Sequence, residues 1–144
     1  MTLAAILKSK GHDVASMRPT STIADVVMRL AERGIGAILV EDALGQVLGI
    51  VSERDIVRAL AVHGAATLGM TAGQLMTARL VTAAPGISVA EAMRIMTDGR
   101  FRHLPVVDGG KVIGIVSIGD VVKSLLAQQA QDIDSLKAYV VGAM

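Results

Sequence analysis

Apolar residues recur along the chain with two alternating periods, which predict short strands separated by helices. Over 23–30 they follow helical spacing, between an expected N-cap at Thr22 and an expected stop at Gly34. Two β-rich runs around a turn and a closing helix follow, at 35–41, 46–52 and 53–63. With a short strand ahead of Thr22, the predicted order is strand, helix, strand, strand, helix.

The same pattern returns later in the chain. Residues 14–42 align without gaps with 80–108, and GIVSERDIVRAL at 49–60 returns as GIVSIGDVVKSL at 114–125. The alignment shifts by one residue in the turn between these segments, where duplicated units tolerate a change of length. We therefore predict an α/β (α+β) fold of two tandem β-α-β-β-α repeats, packed with pseudo-two-fold symmetry around a shared core.

The second copy predicts its own set of elements. A strand is expected to start around Val81-Thr82, and a helix is expected between Ser88 as N-cap and Gly99 as stop. The hairpin strands and closing helix are expected at 101–107, 111–117 and about 120–129.

The duplication divides the chain into predicted parts. They are an N-terminal segment, a first repeat, a connector, a second repeat and a C-terminal helical tail, at 1–10, 11–64, 65–79, 80–128 and 129–144. Thr71 and Gln74 have capping-box spacing, which predicts a short helix in the connector. Lys8 and Lys10 could close over a phosphate, but a mobile, charged terminus is expected. One repeat is too small to be stable alone, so two packed repeats with two equivalent clefts are expected.

Composition excludes several classes of function. Fourteen Lys and Arg against 13 Asp and Glu give a net charge of +1, which provides no general attraction for nucleic acid or anionic membranes. The chain has no cysteine, no Trp, one Phe and one Tyr, so thiol chemistry and base stacking on aromatic rings are excluded. His12, His63 and His103 lack the paired spacing of metal ligands, and no metal is expected. No apolar run approaches the ~20 residues of a membrane span, and a cytoplasmic location is expected.

The repeated motif G-h-V-S-x-x-D lies where a strand enters the closing helix. Ser52 and Asp55, like Ser117 and Asp120, can cap that helix and complement its dipole, which would be a purely structural role. The same geometry suits a nucleotide, because a helix N-terminus attracts phosphate and a nearby carboxylate can accept the hydroxyls of a ribose. Both interpretations stay open at this point.

The paired motifs, the RHLPVVD run at 102–108 and the duplicated order resemble a tandem pair of cystathionine-beta-synthase (CBS) domains, over about 10–127. The resemblance implies a regulatory protein, often a homodimer, that binds adenosyl ligands such as AMP, ADP, ATP, NAD(H) or S-adenosylmethionine in clefts between the repeats.

By that resemblance, Asp55 and Asp120 would bind ribose, and Ser52 and Ser117 would lie near the phosphate. The segments that frame adenine and phosphate would include Thr82, Arg102, His103, Leu104 and Pro105. Arg54 would add a charge to the first repeat. His103 aligns with Ala37 in the first repeat, so the second site is expected to bind phosphorylated ligands more tightly.

The function predicted from these residues is a non-catalytic sensor that binds an adenine nucleotide and signals to an unknown protein partner. One alternative is a structural homodimerisation module with vestigial clefts, and another is a nucleotide-processing enzyme. A homodimer is expected because the closing helices carry more aliphatic side chains than one small core requires, namely Val57, Leu60, Val121, Val122 and Leu125.

Overall fold

The backbone forms two compact units, and each contains one of the predicted repeats. The computed structural model describes residues 1–143, so Met144 of the predicted tail lies outside the described residues. The first-repeat unit consists of residues 14–81, and the second-repeat unit consists of residues 1–13 together with those from 82 onward. The mixed helix and strand fold with a tandem repeat is confirmed.

The elements of the first-repeat unit are β1 Ser16–Met17, α2 Ile23–Arg33, β2 Ala37–Glu41, β3 Val47–Ser52, α3 Glu53–His63, a 3₁₀ segment Gly64–Gly69 and α4 Ala72–Leu75. Helix α1, Leu3–Lys10, belongs to the other unit. The three strands form a sheet in the order β1-β2-β3, with β1 parallel and β3 antiparallel to β2. The predicted caps of α2 are confirmed: Thr22 accepts a hydrogen bond from the Asp25 N–H, and Gly34 is left-handed at φ 62°. The capping box of Thr71 and Gln74 is also present.

The second-repeat unit contains the hairpin of β4 and β5. Its elements are α1 Leu3–Lys10, α5 Val89–Gly99, β4 His103–Asp108, β5 Lys111–Ser117 and α6 Ile118–Ala143. The strand expected around Val81-Thr82 is reduced to one parallel bridge, between Ala83 and Val106. Pro85 follows two residues later and has no N–H with which to continue a ladder.

The helix expected to stop at Gly99 in fact includes it. Arg100 takes the left-handed cap position at φ 56°, the only non-glycine residue among those described with a positive φ. A Cβ on Gly99 would overlap the ring of Phe101. The glycine leaves room for that ring inside the helix, and the left-handed turn falls on Arg100, the counterpart of Gly34 in the first repeat.

Both ends of the chain differ from expectation. The N-terminal segment is a helix whose Leu3, Ile6 and Leu7 are buried in the second-repeat core, so the expectation of a mobile terminus is wrong. The tail is no separate helix, because α6 runs unbroken for 26 residues. Val121 is buried in the same core and Leu125 packs against it, so neither is surface left over for a dimer.

Two segments, residues 1–7 and 70–76, each precede one repeat and pack on the other, and we call them the leader segments. They make equivalent backbone hydrogen bonds. For the first leader, the N–H of Val89 donates to the Met1 carbonyl (3.0 Å), that of Leu3 to the Ile87 carbonyl (3.1 Å) and that of Ala4 to the Pro85 carbonyl (2.9 Å). For the second, the N–H of Ile23 donates to the Met70 carbonyl (2.8 Å), that of Ala72 to the Ser21 carbonyl (2.8 Å) and that of Gly73 to the Pro19 carbonyl (2.9 Å).

The repeated glycines of the motif make room for the leader segments. A Cβ on Gly49 would lie 2.7 Å from the Thr77 carbonyl oxygen and 2.8 Å from the Met76 sulfur. A Cβ on Gly114 would lie 2.5 Å from a methyl carbon of Leu7. The first obstacle includes backbone, whereas the second is the end of a flexible side chain.

We therefore expect Gly49→Ala to destabilise the protein by about 1–3 kcal/mol, because the backbone at Thr77 must move. Gly114→Ala should cost less, since Leu7 can change rotamer. Urea unfolding measures both. Gly86→Ala is the control, because a Cβ there meets no atom within 4 Å. Equal stability of the Gly49 and Gly86 variants would contradict the packing described.

Candidate functional site

Each closing helix begins with a reciprocal pair of hydrogen bonds between its motif serine and aspartate. The Ser52 N–H donates to Asp55 Oδ2 (2.9 Å), and the Asp55 N–H donates to Ser52 Oγ (3.3 Å). In the second repeat, Ser117 N–H donates to Asp120 Oδ2 (2.9 Å) and Asp120 N–H to Ser117 Oγ (3.1 Å). The predicted capping role of both pairs is confirmed. Oδ1 of each aspartate takes part in none of these bonds.

The strand beside each serine occupies the same position in both repeats. Ser52 pairs with Ala37 across the hairpin, and Ser117 pairs with His103. The first helical N–H is bonded in the same way, from Glu53 to the Gly36 carbonyl (2.9 Å) and from Ile118 to the Arg102 carbonyl (2.8 Å). The predicted correspondence of His103 with Ala37 is therefore confirmed by strand register.

The two sites differ in charge. At the second, Arg102 is exposed and His103 is half-buried, both beside Ser117 on the neighbouring strand. At the first, Gly36 and Ala37 occupy those positions, and Arg54 is exposed in the first turn of α3.

The other residues expected to frame adenine and phosphate lie near the start of β4. Leu104 is fully buried, so its side chain belongs to the core, and only its backbone can serve a ligand. Pro105 is also buried, and its carbonyl already accepts a bond from the Ala83 N–H (3.0 Å). Thr82 is exposed next to that bridge.

One contact at the second site was not predicted from the sequence. Lys10, at the end of α1, places its Nζ 2.7 Å from Asp120 Oδ2 and 2.7 Å from the Ile115 carbonyl. His12 Nδ1 lies 3.0 Å from the Ile113 carbonyl, so the chain after α1 is held along β5. No local pattern signals a contact between residues 110 positions apart.

The ion pair affects the ionisation of Asp120. Partial burial by itself raises the pKa of Asp120. The hydrogen bond from Lys10, the bonds from Ser117 and the charge of Lys10 together outweigh it and hold the pKa below its ordinary value. Asp120 is therefore a carboxylate at neutral pH, able to accept hydrogen bonds but not to donate one.

Comparison with known proteins agrees with this arrangement. The family model of the CBS domain matches the chain twice, over residues 9–62 and 72–127. "CBS domain-containing protein CBSX3, mitochondrial" of Arabidopsis thaliana is 34% identical over 149 residues, a match that covers 98% of this chain and 72% of that protein. A CBS-domain containing protein from Agrobacterium tumefaciens has a crystal structure similar at a TM-score of 0.83 and 43% identity, over 85% of this chain and 91% of that one.

A more distant structure includes ligands. The CBS domain pair of protein MJ0100 was solved in complex with 5′-methylthioadenosine and S-adenosyl-L-methionine. It shares the fold at a TM-score of 0.78 and 23% identity, over 89% of this chain and 98% of that one.

The chain belongs to the CBS-domain family and is a CBS domain pair, a regulatory module. Some relatives are longer, and the match spans as little as 18% of one of them. Across residues 1–143, no helix combines the length and apolar character needed to cross a bilayer. Nor does that part of the chain contain a cluster of three or more His, Asp or Glu side chains able to hold a metal ion.

We expect Lys10→Met to raise the pKa of Asp120 towards its ordinary value of about 3.9, because a donor and a positive charge are lost. Carbon-13 NMR titration of the Asp120 carboxyl measures this directly. The free energy of unfolding should change with pH in the same way. In the wild type, ionised Asp120 stabilises the fold above about pH 4, and this contribution is lost as the pH falls through the lowered pKa of Asp120 in the folded protein.

The matched control is Lys8→Met, on the exposed side of the same helix. It should leave the Asp120 titration unchanged. An Asp120 titration that is the same in the Lys10 variant and the wild type would show that the pair does not form in solution.

Proposed function

We propose that the protein is a non-catalytic sensor that binds an adenosine nucleotide, AMP, ADP, ATP or NAD(H), at the Ser52–Asp55 and Ser117–Asp120 sites. It acts in the cytoplasm as a homodimer and signals to a protein partner. The observation that carries the proposal is the same serine, aspartate and helix N-terminus at equivalent strand positions in both repeats.

The aspartates have acceptor capacity beyond the cap. Oδ2 accepts the serine N–H in each repeat, and Oδ1 takes part in no bond of the cap. A carboxylate oxygen has two lone pairs, so Oδ1 can accept hydrogen bonds from ribose hydroxyls while the cap stays intact. The lowered pKa of Asp120 keeps that group ionised in the cell.

The helix N-terminus supplies the complementary part of the site. The N–H groups of Ile118 and Asp120 are bonded to Arg102 and Ser117, but the N–H of Gly119 takes part in neither bond. That group and the positive end of α6 favour a phosphate. Arg102 adds a positive charge and His103 adds an imidazole ring at the start of the adjacent strand, which supports tighter binding by the second site than by the first.

The relatives support the ligand class. The MJ0100 domain pair was solved with two molecules that contain adenosine, although its similarity extends only to the fold. Membership of the CBS-domain family supports a regulatory role without catalysis.

A structural module without a ligand is the second candidate. The capping bonds favour it, because they give both aspartates a role in stability that needs no nucleotide. In that case the homodimer itself would be the functional unit. A nucleotide-processing enzyme is the third candidate, and analysis of the nucleotide after incubation with the protein would detect turnover.

We expect AMP, ATP or NADH to bind in calorimetry, and GMP and GTP to bind much more weakly. Adenine would be recognised by backbone groups in an aliphatic setting, which a guanine with its reversed hydrogen-bonding edge does not match. Mass spectrometry of co-purified small molecules identifies the natural ligand. The absence of binding by all three adenosine nucleotides at millimolar concentration would favour the structural module.

Asp120→Ala should remove the tighter binding event and Asp55→Ala the weaker one. Loss of hydrogen bonds to a charged carboxylate is worth roughly 1.5–3 kcal/mol, or about 10- to 150-fold in affinity. Asp25→Ala is the matched control, since Asp25 also lies in a helix first turn and its N–H is capped by Thr22. If Asp120→Ala lowers the melting temperature as Asp25→Ala does and leaves affinity intact, the aspartate is only a cap.

A further inference from the structure

From Val122 onward, α6 exposes a row of large aliphatic side chains. The first turns of the helix are anchored, since Val121 is buried and Leu125 packs against the core. Farther along, Leu126, Ile133, Leu136 and Val140 are 60%, 54%, 63% and 52% exposed. A helix of 26 residues is about 39 Å long, so much of it extends past these anchors.

The exposed residues follow a heptad repeat. Positions 122, 126, 129, 133, 136 and 140 alternate in steps of four and three, the spacing of the d and a positions in a coiled coil. We call this row, Val122, Leu126, Gln129, Ile133, Leu136 and Val140, the tail stripe. Gln129 is its one polar member. Spacing this regular covers one side of the helix along nearly three heptads.

The charges beside the tail stripe select the partner and its direction. With Ile133 and Val140 at a positions, Asp132 is a g residue and Lys137 is the e residue five positions later. In a parallel, in-register pair of identical helices, each g residue faces the partner's e residue, so Asp132 and Lys137 would form two opposite-charge pairs. An antiparallel pair would place g against g and e against e, which brings like charges together.

The C-terminal part of the tail stripe favours two strands. β-branched residues at a positions with leucine at d are typical of parallel dimers, and Ile133, Val140 and Leu136 meet that pattern. Leu126 at a and Val122 at d, nearer the core, do not. Asp132 is already oriented within its own helix, because Oδ1 accepts a bond from Gln128 Nε2 (3.1 Å), a contact that does not use Oδ2.

We propose that the tail stripe pairs with the tail stripe of a second copy of this chain as a parallel, in-register, two-stranded coiled coil. The pairing buries the exposed aliphatic row and specifies how the proposed homodimer is held together. It requires no nucleotide, so it stands or falls separately from the sensor function.

Thiol cross-linking tests the geometry directly, because the chain has no cysteine of its own. In the proposed dimer, the d positions of the two helices face each other within reach of a disulfide. Purified full-length Leu136→Cys should therefore become a disulfide dimer under mild oxidation at micromolar concentration. The matched control is Val141→Cys, which is 71% exposed and lies at a b position, outside the tail stripe. It should stay largely monomeric on a non-reducing gel.

Charge exchange tests the direction. In the Leu136→Cys background, Asp132→Lys or Lys137→Asp alone creates two like-charge pairs in a parallel dimer. In a glutathione redox buffer, each change should lower the equilibrium constant for disulfide formation by roughly five-fold. The double change Asp132→Lys with Lys137→Asp should restore it. An antiparallel arrangement would show no such reversal.

The proposal is overturned if the Leu136 and Val141 variants cross-link equally, if neither does, or if the charge changes have no effect. Nucleotide calorimetry on Ile133→Asp separates the two proposals. We expect this variant to bind nucleotide although it no longer pairs through the tail stripe. A failure of nucleotide binding in the wild type would leave the cross-linking result unaffected.

Discussion

Each repeat is completed by the leader segment that precedes the other repeat, and most of the structure depends on this exchange. The three backbone hydrogen bonds of residues 1–4 to the second repeat have equivalents in those of residues 70–73 to the first. Gly114 and Gly49 lie where a side chain would collide with Leu7 and Met76, so both sheets are shaped to receive a leader segment. The first repeat and its leader segment lie in one continuous stretch, residues 14–81, whereas the second repeat receives its leader segment from the other side of that stretch.

The exchange also makes the two candidate sites unequal. Leu7 and Met76 occupy equivalent positions, but the helix that contains Leu7 continues to Lys10, whereas α4 ends at Leu75. After α4, the chain instead pairs Thr77 with Ile50. Only the longer helix extends far enough to bring a lysine to the motif aspartate, so the ion pair of Lys10 with Asp120 follows from helix length and not from the repeat itself.

Local signals account for what the sequence predicts well. The caps at Thr22, Gly34 and Ser52 involve residues at most four positions from their partners, and the duplicated motif defined both candidate sites. Two features were missed. The helix stop at Arg100 is the counterpart of Gly34 in the aligned repeats, but the neighbouring Gly99 was expected because glycine favours that position. The packing of α1 brings Lys10 to a carboxylate 110 residues away, and no local pattern indicates such a contact.

In the proposed sensor, Asp120 would link the nucleotide site to α1, the helix that begins in the first leader segment. Oδ2 already accepts bonds from Lys10 and Ser117, so a ligand hydroxyl bound at Oδ1 adds to this network, whereas one bound at Oδ2 must displace the lysine. In the second case, ligand binding and the docking of α1 would oppose each other, and by linkage each would weaken the other by the same factor. In the first case, the ion pair would orient the carboxylate for the ligand. The proposed sensor requires that its ligand favour one of two arrangements of the protein. The Lys10–Asp120 bond would be a contact through which a bound nucleotide could do so.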